Sequence, residues 1–220
     1  MKDENKLFEI YKSGSGEYTE KKSRFISELV SAKTEAQAIA FIETTKKKYH
    51  DARHNCSAYI TTGEDGRVIS RFSDDGEPSG TAGRPILEVL EGAGLTNAVC
   101  VVTRYFGGVL LGTGGLTRAY SKSAALAAER AELIQRHEGI RLYITTDYNG
   151  YGRIEYLLRD RKLPVLDSHF ETDVRVETVV PEDYLKRVKA DITEATGGKA
   201  AFENGEPVAY GIAESGLVLL

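Results

Sequence analysis

Two segments of the sequence concentrate residues that could do chemistry. The first, RFSDDGEPSGTAGRPIL from Arg71 to Leu87, crowds three acids, two prolines and three glycines into a run that fits neither a regular helix nor a regular strand. The second, VVTRYFGGVLLGTGGLTRAYSKSAALAAERA from Val101 to Ala131, sets five glycines between an apolar run and a helical pattern. In that segment Gly112, Gly114 and Gly115 directly precede the helix, whose first N–H groups lack partners, and glycine lets a ligand approach the backbone closely. Such a corner favours an anion. Thr113 and Thr117 add hydroxyl donors, and Arg118 and Arg104 offer guanidinium groups able to grip phosphate or carboxylate with two bonds. Gly107 and Gly108 loosen the same loop, while Tyr105 and Phe106 place aromatic faces beside it. The plainer alternative is a tight turn whose glycines serve positive φ and close packing.

In the first segment Asp74, Asp75 and Glu77 could serve a hard cation, but SDDGEPSG lacks the ligand count and spacing of a calcium loop. The sequence therefore predicts no metal. A supporting role is expected instead: Asp74 or Asp75 pairs with Arg71, Arg84 or Arg104 and so orients guanidinium groups that face a ligand. His54, in the polar run ARHNCSAY, is read as a hydrogen-bonded residue that begins a strand. Ser79 and Thr81 carry no nucleophile signature.

These loops need elements to position them. KKSRFISELV reads as a strand, and Thr34 with Gln37 makes a capping box for a helix in which Ile39, Phe41 and Ile42 form an apolar side. CSAYITT and RVISRF, flanking GEDG, predict an antiparallel hairpin. Arg84-Pro85 opens a short helix, and Val99 to Val102 predict a strand covered on both faces. Leu116, Tyr120, Ala124, Ala127, Ala131 and Ile134 give the next helix one narrow, small-residue face. After a linker at QRHEG, the pattern is strand, helix, strand, strand, helix, strand, a ferredoxin-like βαββαβ order. The expected domains are residues 1–136 and 140–220.

Composition narrows the classes. Cys56 and Cys100 sit in apolar runs and read as buried structural thiols. The N-terminus lacks the apolar stretch of a signal peptide and no run reaches membrane-span length, so a cytoplasmic location and no membrane partner are expected. Residues 140–220 hold ten basic against fourteen acidic residues and so carry the entire net charge of −4. A nucleic-acid surface would have to be a local patch of the first part.

SDDGEPSGTAGRPIL, VVTRYFGGVLLGTGGLTRAYS and HNCSAY resemble the signature of the YigZ/IMPACT family, and the resemblance runs over essentially the whole chain. It implies an α+β protein of two domains. The N-terminal domain would have the left-handed βαβ fold of domain four of elongation factor G, and the C-terminal domain would be similar to domain five of that factor. Eukaryotic relatives regulate translation, which implies a translation-associated role. The expectation is a factor without catalytic activity or cofactor that binds RNA or the ribosome. Its surface would comprise Arg71, Arg84, Arg104, Tyr105, Gly107, Gly108, Gly112, Thr113, Gly114, Gly115 and Arg118, supported by His54, Asp74, Asp75 and Glu77. The acidic C-terminal domain would meet a protein partner. The alternative is a phosphotransferase or hydrolase acting on a phosphorylated small molecule or nucleotide.

Overall fold

The computed structural model describes residues 6–63, 66–213 and 216–220. The chain divides into two compact units, Met1–Gln135 and Arg136–Leu220. In the first unit the chain runs β1 (Phe8–Lys12), β2 (Gly14–Glu20), β3 (Ser23–Ser31), α1 (Glu35–Lys48), β4 (His54–Thr62), β5 (Val68–Ser73), α2 (Gly83–Gly92), β6 (Ala98–Tyr105), α3 (Thr113–Arg130) and β7 (Glu132–Gln135). Five strands form a sheet in the order β2-β3-β6-β4-β5, with every neighbouring pair antiparallel, and β1 pairs with β7.

Strand β6 lies at the centre and is buried from Ala98 to Arg104. Its alternate side chains meet different helices. Val99 packs with Ala38, Phe41 and Ile42 of α1, while Cys100 and Val102 join the larger core with Ile86 and Leu90 of α2 and Tyr120 of α3. The connections β3-α1-β4 and β5-α2-β6 each join parallel strands across one intervening strand. A half-turn about the sheet normal would superpose one on the other, so crossovers of the same hand would put both helices on one face. Because α1 and α2 lie on opposite faces, one crossover is left-handed, against the strong general preference. This is the chirality that the family resemblance implies.

The small-residue face of α3 permits a close approach to β2. A Cβ added to Gly14 would lie 2.0 Å from the Ala127 carbonyl oxygen. Helix α3 ends at Arg130, however, and Ile134, expected on its face, belongs to β7, where it pairs with Glu9 of β1. In α1 the Gln37 N–H donates to Thr34 Oγ1 at 3.2 Å, but Ile39 of the expected apolar side is half exposed because the helix turns the face of Ala38, Phe41, Ile42 and Thr45 inward. Strands β4 and β5 pair as a hairpin; Glu64 and Asp65 of its expected turn lie outside the described residues.

The second unit comprises β8 (His137–Thr146), α4 (Tyr148–Asp160), β9 (Val165–Phe170), β10 (Val174–Val180), a 3-10 turn (Glu182–Tyr184), α5 (Leu185–Thr196), β11 (Ala201–Ala213) and β12 (Gly216–Leu219). The order β12-β11-β8-β10-β9 contains the ferredoxin-like arrangement, with Leu142, Ile144, Val174 and Val176 packed under Ile154, Leu158, Val188 and Ile192. The linker expected at Gln135 to Gly139 is absent: β8 already starts at His137, and His137 and Gly139 pair with Tyr210 and Val208 of β11. No helix among the described residues is long and apolar enough to cross a membrane.

Candidate functional site

The two chemistry-bearing segments meet at one end of the first unit's sheet. Residues 74–82 leave β5, and the Asp74 carboxylate immediately takes over three backbone donors: Gly80 N–H at 2.8 Å, Ala82 N–H at 3.0 Å and Gly83 N–H at 2.8 Å. It thus supplies the side-chain cap that Ala82 cannot give to α2. Asp75 adopts a left-handed backbone (φ 44°), and its carboxylate accepts from the Asn55 N–H at 2.7 Å and pairs with Lys46 at 3.1 Å. The Asp75 carbonyl lies 2.8 Å from His54 Nδ1, so that nitrogen carries the ring proton, since a carbonyl can only accept. The expectation that Asp74 or Asp75 would hold an arginine is therefore corrected. Both carboxylates are occupied by the backbone of their own loop and of β4.

Glu77 performs the arginine pairing instead. Its side chain is only 4% exposed, and Oε1 accepts from Arg104 Nη1 at 2.6 Å and from the Tyr120 hydroxyl at 2.9 Å. Arg104 also reaches Ser23 Oγ at 3.4 Å, with its guanidinium carbon 5.5 Å from the ring centres of Phe25 and Phe106. The expected phosphate contact of Arg104 is therefore corrected too: the residue is 5% exposed and committed to an internal carboxylate. The reason is strand parity. Cys100, Val102 and Arg104 alternate along β6, so Arg104 shares the face covered by α2 and α3.

Cys56 Sγ completes the cluster, 3.0 Å from the Asp74 carbonyl and 3.3 Å from the Tyr120 hydroxyl. Burial, then the neighbouring Cys56 and Glu77, drive the Tyr120 phenol far above its ordinary range, and burial likewise pushes the Cys56 thiol up. Both groups stay protonated, so neither is a nucleophile at neutral pH. Glu77, Arg104, Tyr120 and Cys56 pin the 74–82 loop to β4, β6 and α3.

The surface beside this cluster is built from three segments. Lys21 and Lys22 form the β2–β3 turn, both with positive φ, and Gly107 lies so close that an added Cβ would come 2.1 Å from the Lys22 carbonyl carbon. From there the loop Phe106–Gly112 carries an exposed apolar tip, with Phe106 40%, Val109 41% and Leu110 83% exposed. Gly108 and Gly112 take φ of 83° and 71°, which non-glycine residues rarely adopt. Gly112 then caps α3 without any side-chain acceptor for the first-turn N–H groups. A cleft of about 270 Å³ beside that helix start is lined by Tyr18, Glu20, Lys21, Leu111, Gly115, Arg118, Ala119 and Lys122. The Lys122 ammonium sits 4.6 Å from the Tyr18 ring centre, and Arg53 stands 5.9 Å from that of Phe106.

Arg118 is thus at this surface, with Gly107, Gly108, Gly112, Thr113, Gly114 and Gly115 in the same loop and first turn. Tyr105 is half-buried and donates to Asp51 at 2.8 Å. Arg84 is exposed on α2 and bonded to Glu88 at 3.0 Å. Arg71 falls elsewhere, on edge strand β5 opposite Tyr59 and so on the face of α1. Lys21, Lys22, Lys122 and Arg53 escaped the sequence reading. The signal for the first two was the pair of lysines between two strand patterns, which marks a turn once GSGEYTE is read as a strand.

A family model for the Impact N-terminal domain matches residues 21–128, which takes in both loops, and one for a domain of unknown function, DUF1949, matches residues 144–199. The IMPACT family member YvyE of Bacillus subtilis is 41% identical over 199 residues, 90% of this chain and 91% of that protein. The member YigZ of Escherichia coli is 34% identical over 178 residues, 81% and 87% of the two chains. A crystal structure of a hypothetical protein superposes with a TM-score of 0.58 at 30% identity, covering 91% of this chain and 98% of that one. Sequence identity sustained over nearly all of both chains, together with a domain match that includes the acidic loop and the glycine corner, makes this chain a member of the IMPACT family.

Proposed function

We propose that the protein is a translation-associated factor that binds structured RNA or the ribosome through the surface formed by the β2–β3 turn, the Phe106–Gly112 loop and the start of α3. The observation that supports this most directly is a helix start left open where cations converge. Thr34, Asp74 and Asp147 cap α1, α2 and α4 with side-chain oxygens, whereas α3 and α5 start without such a cap, and of these two the 18-residue α3 begins beside Lys21, Arg118 and Lys122. Unpaired N–H groups, a helix dipole and three cations against the one carboxylate of Glu20, itself bonded by the Tyr18 hydroxyl, suit a phosphate, and the exposed Phe106 gives an unpaired base a ring to stack on. IMPACT membership adds the translational role that the family resemblance implies. The second unit, which carries the net charge of −4, suits contact with protein rather than nucleic acid.

Binding rather than catalysis is favoured because the carboxylate, guanidinium and phenol of the buried polar cluster of the first unit are bonded to one another, with Arg104 Nε left without a partner there. The test is binding of wild type, Arg118→Ala and Lys122→Ala to ribosomes and to a structured RNA at two salt concentrations. Each substitution weakens binding across sequences and lowers the slope of log affinity against log salt by about 0.9. Salt-insensitive binding, or variants indistinguishable from wild type, would overturn the proposal.

A further inference from the structure

The edge of the first unit's sheet formed by β5 has fewer guards against strand pairing than β9, β2 or β12, Arg71 being its one charged residue. Strand β9 is interrupted by a bulge opposite Glu177 and Thr178 and carries Asp167 and His169. Strand β2 lies under α3, where its Ser15 carbonyl takes a bond from Arg130 at 3.3 Å, and β12 spans only four residues. By contrast β5, VISRFS, runs six residues in unbroken register with β4 and has neither proline nor lysine. An unbroken edge with exposed apolar side chains is a template for another strand.

Its hydrogen-bonding phase can be worked out. Gly63 N–H donates to the Arg67 carbonyl at 2.8 Å, so residues 63 and 67 form a bonded pair, and bonded pairs alternate along an antiparallel ladder. Ile69, Arg71 and Ser73 therefore face β4, while the N–H and C=O groups of Val68, Ser70 and Phe72 point outward. The Thr62 N–H, bonded to Asn97 Oδ1 on the far side of β4, fits this phase. Val68 and Phe72 also share one face of the strand and are 68% and 46% exposed.

We propose that β5 pairs antiparallel with β5 of a second copy about a two-fold axis at Ser70, joining two sheets into one. In this register the outward groups meet each other: Ser70 pairs with its own counterpart, and Val68 pairs with Phe72 of the second copy. The two exposed apolar side chains on each strand then lie directly across from one another, the spacing at which cross-strand pairs stabilise a sheet. Arg71 falls opposite Ile69 rather than opposite Arg71, which excludes the register one residue away, where the two guanidinium groups would collide. Arg71 Nη1, now 3.3 Å from the Ser70 carbonyl, swings aside. A self-complementary patch related by one axis closes as a dimer and does not propagate.

The experiment is sedimentation of the full chain across roughly two decades of concentration. Wild type shifts from the 24.2 kDa monomer towards twice that mass. Ser70→Pro removes an N–H that β4 does not use, and Phe72→Lys places a charge on the edge; both remain monomeric at the highest concentration. Far-UV circular dichroism checks that each variant is folded. Ser70→Cys, at the axis, crosslinks to a covalent dimer under mild oxidation, whereas the control Ser15→Cys on β2 does not. A wild type that stays monomeric throughout, or a dimer that persists unchanged in Phe72→Lys, would overturn the proposal.

Discussion

Replacing Glu77 by alanine tests whether the buried cluster holds the acidic loop in place. The substitution strips Arg104 Nη1 of its 2.6 Å acceptor and Tyr120 of its 2.9 Å acceptor. Because the Arg104 side chain is only 6% exposed, water cannot replace the carboxylate, and a buried charge left alone costs about 3–5 kcal/mol. The orphaned phenol adds about 1 kcal/mol at most, because Cys56 Sγ remains 3.3 Å away. The loss should therefore reach about 3–6 kcal/mol, a large part of the stability of a domain of this size. Tyr120→Phe, which removes one donor from a carboxylate still paired with arginine, should cost about 1–2 kcal/mol. Urea unfolding followed by circular dichroism measures the total, and hydrogen exchange at the amides of Gly80, Ala82 and Gly83 reports the loop directly, since Asp74 holds all three. Glu77→Leu combined with Arg104→Met should recover most of the loss. A double-mutant cycle showing no coupling between positions 77 and 104, or a Glu77→Ala cost under about 1 kcal/mol, would show that this pair does not hold the loop in place.

Three further outcomes follow from the packing. Gly107→Ala forces a Cβ to within 2.1 Å of the Lys22 backbone, so it should destabilise the first unit by about 1–3 kcal/mol and weaken RNA binding along with it; equal stability and affinity in calorimetry and binding would show that the turn and loop are not packed as described. Burial pushes the Cys100 thiol up to about 12 and raises Cys56 as well, so an alkylating reagent at about pH 8 should leave both cysteines unmodified in the native protein and label both in urea, as read by mass spectrometry. Burial and the bond to Glu35 push Tyr59 up to about 12 from an unfolded value near 10, so the folded state favours the neutral phenol; that stability is complete below about pH 10 and is lost between about pH 10 and 12, and Tyr59→Phe should flatten this part of the stability–pH curve.

What the sequence disclosed followed from local physics. Thr34 announced a helix start, Val99 to Val102 announced a strand with two covered faces, and the spacing of Leu116, Tyr120, Ala124 and Ala127 announced a helix that packs closely, because each signal needs only the residue and its near neighbours. What stayed hidden depended on partners distant in the chain. Strands β1 and β7 are stable because Phe8 meets Gln135 and Ile10 meets Leu133, and GSGEYTE looks like a loop until Gly14 is found beneath Ala127.

The arginines show most clearly where local reading stops. Arg71, Arg84, Arg104 and Arg118 look alike in sequence, and each stands near glycine, proline or acid. Topology sorts them. Arg104 ends the central strand on the face of α2 and α3, where Glu77 neutralises it. Arg71 sits on the edge strand on the face of α1, Arg84 bonds to its own helix, and Arg118 alone of the four lines the cleft beside the uncapped start of α3. Both faces of β6 are apolar, so the alternation that would have assigned Arg104 to the interior carries no polar contrast to read. The same ambiguity concealed Glu77: an acid in a glycine-rich loop reads as solvated until the loop is seen to fold back over the end of the sheet. An arginine buried to hold a loop and an arginine exposed at a cleft differ only in where the chain takes them, and that difference decides which substitution should unfold the unit and which, under the proposed function, should weaken RNA binding alone.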